Sequence, residues 1–200
     1  MINLLDYLKI LPDTFPDKVS DLLLDLPRRS SPAVVSDYDK GFNKINDSYR
    51  ITNNIHLNDD IISNISLGLV DFWYERLDSY YHQPVINIER PQLLHYNVGG
   101  KYDVHNDCED FVDGVLTRLY PRDVTVLAYL NDNYEGGELE FPDYGIKIKP
   151  KKNTVITFPS YYEFQHRVLP VTQGERFTLA AWIETKERIY DMMSFSEMNF

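Results

Sequence analysis

Two hundred residues suit a single domain, and a chain of this length buries a substantial core without disulfides or a structural metal. The formal net charge of −11 disfavours a nucleic-acid binder, because an acidic surface repels phosphate backbones. The only cysteine, Cys108, excludes an internal disulfide, and no stretch approaches the length that crosses a bilayer.

Residues 1–17 (MINLLDYLKILPDTFPD) lack the basic segment and small-residue cleavage site of a secretory signal, and with the lone cysteine this predicts a cytoplasmic protein. Residues 4–11 are expected to form one or two helical turns. In residues 17–26, Val19, Leu22, Leu23 and Leu26 recur at helical spacing until Pro27 ends the run. RRSSP at 28–32 has loop chemistry, and residues 33–58 are polar, asparagine-rich and expected to be extended or irregular.

A stronger helix is predicted from Asn58 or Asp59 to about residue 82, with an apolar stripe through Ile61, Ile62, Ile65, Leu69, Phe72, Trp73 and Leu77. From residue 85 the pattern changes to short strands: one or two within 85–98, then 124–130, a hairpin over 138–150, then 153–159 and 175–184. Tight turns between them indicate a sandwich or jelly roll, not a parallel sheet. The expected class is mainly β with flanking helices (α+β), in one domain over 1–200. Residues 1–84 would form a helical and irregular N-terminal support, 85–186 the core and 187–200 a surface tail.

His105 and Asp107 are two residues apart, so an extended backbone would aim an imidazole and a carboxylate at one point. His166 follows the strand at 153–159. Two histidines and one carboxylate make a facial triad that leaves three positions of an octahedral iron(II) open. Taken alone, His-x-Asp is also a common surface turn. Arg176 lies ten residues beyond His166, at the start of the last clear strand. Two neighbouring antiparallel strands would bring it to the same pocket, where a guanidinium clamps a carboxylate in two-pronged fashion. The alternative for Arg176 is an exposed ion pair at a strand start.

Four blocks carry a family resemblance: YNVGGKYDVHND, VTVLAYLND, EGGELEFP and FPSYYEFQHRVLPVTQGERFTLAAW. In this order and spacing they resemble the prolyl 4-hydroxylase-like branch of the 2-oxoglutarate/iron(II)-dependent oxygenases over about residues 91–184. The resemblance implies a double-stranded β-helix (jelly roll) with N-terminal helices packed on one face. It implies His105, Asp107 and His166 as catalytic iron ligands, and Arg176, where many relatives have lysine, as the partner of the distal carboxylate of 2-oxoglutarate. By the same resemblance Tyr129 also touches that carboxylate, Tyr96 lines the cofactor end, and Tyr102 and Trp182 line the pocket.

The implied activity is hydroxylation of a C–H bond with iron(II), 2-oxoglutarate and dioxygen, and with ascorbate as a possible addition. The expected substrate is a prolyl residue in a peptide or protein. Another protein side chain, a small metabolite and a non-catalytic jelly-roll binding or structural protein are the alternatives. No membrane or nucleic-acid partner is expected, and the residues say nothing of oligomeric state. His56, His82 and His95 read as structural or exposed, Cys108 as a bystander thiol, and Lys147, Lys149, Lys151 and Lys152 as the solvated face of a hairpin. Residues 108–121 mix charge, Gly114 and apolar side chains without strict period, which predicts a mobile loop over the metal.

Overall fold

The computed structural model describes residues 4–37, 42–44, 46 and 48–189; the predicted tail lies outside these beyond residue 189. The runs richest in β-branched and apolar residues form the centre of an eight-stranded antiparallel sheet. Strands Val155–Pro159 and Val124–Tyr129 are buried at every position, and Arg176–Thr185 at all but one. Burial on both faces explains why these strands read as continuous apolar runs without alternation. The order across the sheet is Lys9–Leu11, Val155–Pro159, Val124–Tyr129, Arg176–Thr185, Gln92–Tyr96, Asn53–Ile55, Ser30–Pro32, with Val85–Ile88 also pairing with Arg176–Thr185.

A second antiparallel sheet runs Ile146–Ile148, Leu139–Phe141, His166–Val168, Lys101–His105, Arg50–Ile51. The mainly β class and the antiparallel sheets agree with a jelly roll. The hairpin expected over 138–150 is present, with Leu139 opposite Ile148. Its lysines are less free than a solvated face implies: Lys147 pairs with Glu140, Lys149 with Glu135, and Lys152 with Asp17 and Asp21.

Two expectations for the N-terminal region need correction. Helix stops at Leu4–Tyr7, and Lys9–Leu11 is instead a strand against Val155–Thr157. The supposed loop at 28–32 contains strand Ser30–Pro32, paired with Asn53–Ile55. Strands this short have no room for a period-2 pattern, so only the pairing partner reveals them.

Helices Asp17–Leu24 and Asp59–Phe72 lie where the apolar spacing placed them. Asn58 caps the second, its Oδ1 accepting from the Ile61 amide at 2.8 Å. That helix continues through a π turn at Trp73–Leu77 into Asp78–Tyr81, and ends at His82 in the left-handed region (φ 51°). The π turn holds Trp73 and Leu77 fully buried, and the Trp73 indole donates to the Gln83 carbonyl at 2.9 Å.

The segment after His-x-Asp is a hairpin, not an irregular loop. Strands Glu109–Val112 and Val115–Arg118 pair with each other and with no other described strand. Asp113 and Gly114 make the turn, both with positive φ (51° and 78°), as a two-residue hairpin requires.

Candidate active site

His105 ends strand Lys101–His105, and His166 begins the neighbouring strand His166–Val168, where the two are direct cross-strand partners. Each ring is fixed by the chain two residues before it. His105 Nδ1 bonds the Asp103 carbonyl at 2.7 Å and His166 Nδ1 the Phe164 carbonyl at 3.0 Å. A carbonyl only accepts, so each Nδ1 carries a proton and each Nε2 is the ring nitrogen left to face a metal. Both Nε2 atoms face Asp107, at 3.8 Å from Oδ1 and 3.7 Å from Oδ2.

Asp107 is not aimed by simple strand alternation. It lies past the strand end, in a turn where Asn106 Oδ1 accepts from the amides of Cys108 and Glu109. Its carboxylate accepts from Thr125 Oγ1 at 2.7 Å, Thr125 is bonded in turn to Ser160, and Arg122 donates to the Asp107 carbonyl at 2.9 Å. One ligand atom from each of the three residues lies within 4.8 Å of the others.

Electrostatics prepare these groups for a cation. Burial pushes His105 down to about 3, reinforced by His166 and opposed by Asp107, so the imidazole is neutral at working pH. Burial alone would raise the Asp107 carboxyl, but His166, His105, Arg122 and the Thr125 hydroxyl outweigh it and hold it below the ordinary carboxylate range. Two imidazoles and one carboxylate, oriented by the hydrogen bonds behind them, are a fitting donor set for iron(II).

The triad lines a cavity of about 340 Å³ whose opposite wall comes from the large sheet: Tyr96, Arg176, Thr178 and Trp182. Arg176 and Tyr96 are cross-strand partners, and Arg176 is 1% exposed. The exposed ion pair considered for this residue is therefore ruled out. Its Nη1 donates to Thr178 Oγ1 at 3.2 Å, and its guanidinium carbon lies 4.6 Å from the Tyr96 ring centre and 5.0 Å from that of Tyr129. Burial works against this charge, but Tyr129, Tyr96 and Tyr134 raise Arg176 above its ordinary value. No carboxylate of the described residues neutralises it. A buried guanidinium without a counter-ion is costly, and a ligand carboxylate supplies what is missing.

Tyr102 lines the cavity and stacks on His105, with ring centres 3.5 Å apart. Tyr129 packs against Arg176 without lining the cavity. Cys108 is buried at the cavity edge, where burial pushes its thiol up, as suits a bystander. His95 points away from Tyr96 and pairs with Glu175 at 2.9 Å; His56 and His82 are exposed.

Sequence reasoning missed a cluster at the cavity mouth. Arg122 makes two 2.6 Å bonds to Glu89 and lies 4.0 Å from the Trp182 ring centre and 4.3 Å from that of Tyr120. Arg50, also missed, is buried on the wall over the Tyr102 ring. These residues are scattered singly along the chain, so no local motif announces them. Thr178 had a usable signal: it shares a strand face with Arg176 at i+2.

Comparison with known proteins places these observations. Residues 91–184 match the 2OG-Fe(II) oxygenase superfamily. A probable prolyl 4-hydroxylase (number 7) of Arabidopsis thaliana is 28% identical over 193 residues, covering 81% of this chain; the chain spans 58% of that relative's length. The viral collagen prolyl hydroxylase of Paramecium bursaria Chlorella virus-1, solved as its 2-oxoglutarate complex, superposes with a TM-score of 0.62 at 26% identity over 88% of this chain and 95% of that one. A Trichoplax adhaerens prolyl hydroxylase, solved with a hypoxia inducible factor peptide fragment, shares the fold at a TM-score of 0.70 and 18% identity, over 90% of this chain and 84% of that one. The matched segment contains all three residues of the candidate metal cluster and the buried arginine, and it places residues 91–184 in the 2OG-Fe(II) oxygenase superfamily, with relatives of the prolyl 4-hydroxylase type.

Proposed function

We propose that this protein is an iron(II)- and 2-oxoglutarate-dependent hydroxylase acting on a prolyl residue of a peptide or protein. One observation carries the reading: a two-histidine, one-carboxylate cluster and a buried guanidinium with no counter-ion among the described residues line one cavity. His105, Asp107 and His166 would hold the iron. Arg176 would receive the distal carboxylate, with Tyr129 and Tyr96 at its sides and Thr178 fixing one end of its fork. With both groups bound, the chemistry supplied would be use of dioxygen, one oxygen atom going into succinate as 2-oxoglutarate loses CO2 and the other converting a C–H bond to an alcohol.

The protein's own part is placement and shielding. The sheets wall the cavity with Tyr102, Leu127, Leu139 and Trp182, which exclude water from the reacting centre. At the mouth, Arg122 donates both to Glu89 and to the Asp107 carbonyl, so the entrance is ordered before substrate arrives. A peptide substrate is supported by the named activities of the relatives and by the apolar hairpin beside the mouth, where Phe111 and Val115 are more than half exposed. Two finer points belong to the same reading. The cavity bounded by helices Asp17–Leu24 and Asp59–Phe72 and by Val126, Ala128 and Leu179 supports helices lying over the outer face of the large sheet, within one domain. The unpaired, buried Cys108 supports a cytoplasmic setting.

The test incubates the iron-loaded protein with 2-oxoglutarate and proline-containing peptides under air. Succinate release and a peptide mass gain of one oxygen at proline are expected. Succinate release with the gain at another residue would overturn the prolyl assignment; no substrate-dependent succinate from any peptide or small molecule would overturn the hydroxylase reading.

A further inference from the structure

Arg176 has one directed hydrogen bond, from Nη1 to Thr178. Its Nε is buried, as are the hydroxyls of Tyr129 and Tyr134, and both hydroxyls are hydrogen-bonding neighbours of the guanidinium. These three atoms belong to one cluster, because both tyrosines lie close enough for the guanidinium charge to act on their hydroxyls. Tyr134 follows the Asn131-Asp132-Asn133 turn and is 2% exposed.

Gly137 shows how tightly the two side chains meet. It has a φ of +65°, and a Cβ there would lie 2.9 Å from Arg176 Cδ and 3.2 Å from Tyr134 Cε2. The glycine thus opens the space in which the arginine stem passes the tyrosine ring. The Lys149 ammonium sits 5.5 Å from the centre of that ring, paired with Glu135.

A guanidinium grips a carboxylate in two-pronged fashion only when its plane is set correctly. One bond to Thr178 leaves the plane free to turn about that contact. A phenol oxygen that accepts from a guanidinium N–H removes this freedom. We propose that the Tyr134 hydroxyl is a positioning group for Arg176, setting the plane of the fork that receives the distal carboxylate of 2-oxoglutarate. Tyr134 does not line the cavity and touches no substrate; it acts through Arg176. The consequence is selectivity: Tyr134 matters for 2-oxo acids that carry a distal carboxylate and not for those that lack one. This inference rests on the role given to Arg176 above.

The test titrates the anaerobic iron(II)-loaded protein with 2-oxoglutarate and with pyruvate, following the visible absorption of the iron chelate, which needs no turnover. Tyr134→Phe should weaken 2-oxoglutarate binding about tenfold, the size of one hydrogen bond to a charged group, and leave pyruvate binding unchanged. In an Arg176→Lys background the same change should have an effect of about twofold or less, because the fork it sets is gone. Equal weakening of both acids, or unchanged 2-oxoglutarate affinity, would overturn the positioning role. Unmutated protein that does not favour 2-oxoglutarate over pyruvate would instead overturn the role of Arg176 itself.

Discussion

His105 and His166 face each other across two antiparallel strands, their ring centres 4.3 Å apart, and each donates its Nδ1 proton to the carbonyl two residues before it. The pairing does three things together. It sets the distance between the rings, fixes the tautomer of each and turns both Nε2 atoms toward Asp107. The metal geometry is therefore a property of strand register, and a slip of one residue would turn a histidine to the other face.

Iron binding should accordingly depend on all three ligands while the fold does not. His166→Ala leaves two ligands and opens space on a buried wall beside Phe158 and Phe141. Calorimetric titration should show loss of stoichiometric iron(II) binding, with the circular dichroism of the β-rich fold retained. In the unmutated protein, chelator should lower the melting temperature, because a ligand bound only by the folded state stabilises it. Iron binding by the variant at full stoichiometry would count against the triad.

Thr125 orients the carboxylate member of that set, through the bond from its hydroxyl to Asp107 Oδ2. Thr125→Val keeps the shape and removes the bond. Loss of such an outer-layer partner typically costs about 10–100-fold in metal affinity. The expected result is weakened iron(II) binding with little change in 2-oxoglutarate affinity at saturating iron. Unaltered metal affinity would show that the turn at Asn106 is enough to hold Asp107.

Arg176 gives a different signature. Truncating one partner of a buried charged contact costs about 2–5 kcal/mol, so Arg176→Ala should raise the 2-oxoglutarate requirement by well over tenfold. Arg176→Lys keeps the charge but loses the fork and should be milder. Iron stoichiometry should stay the same in both variants. An unchanged 2-oxoglutarate requirement in Arg176→Ala would reject the clamp.

Much of this site was legible in the sequence because its signals are local: His105 and Asp107 stand two apart, and Arg176 opens an unmistakable strand. The supporting layer was not. Thr125 contacts Asp107 from 18 residues away, and Arg122 reaches Glu89 across 33, so neither pair forms a pattern in the chain. The central strands were visible through β-branched runs, whereas Lys9–Leu11 and Ser30–Pro32 owe their existence to partners more than 20 residues distant. The hairpin after Asp107 did carry its signal, Asp113-Gly114, which outweighs the irregular apolar spacing around it.

Behind the clamp, acid should expose a second link. Glu175, next to Arg176, bonds both Arg28 and His95. Burial disfavours its charge, yet Arg28 and His95 outweigh burial and hold its carboxyl below the ordinary value of 4.5. A depressed carboxyl contributes stability that is complete above its unfolded value and is lost as the pH falls through the folded one. Metal-free protein and its Glu175→Gln variant should therefore differ most in melting temperature above the ordinary carboxylate range and converge as the pH falls below it. A difference that does not shrink on acidification would remove the ion pairs as its cause.

The hairpin beside the mouth should respond to substrate. Glu109–Val112 and Val115–Arg118 pair only with each other among the described strands, so few ladder bonds hold them. Anchors exist at the base, where Glu109 bonds Arg188 and the Tyr162 amide, and Leu119 bonds the Cys108 carbonyl. The tip has no such ties to the described residues, and Phe111, Val115 and Leu116 stay exposed, with Phe111 edge-on to Tyr162 at 5.5 Å. A two-stranded ribbon of this kind is marginal on its own. Local opening at the tip should therefore be frequent, and amide exchange there fast compared with the central strands. A bound peptide that covers Phe111 and Val115 would remove apolar surface from water and tie the tip down. Hydrogen exchange followed by mass spectrometry should show slowing across 110–117 when peptide joins the iron and 2-oxoglutarate complex, and little change at 124–129. Strong protection of 110–117 before peptide is added would show the hairpin to be a fixed wall.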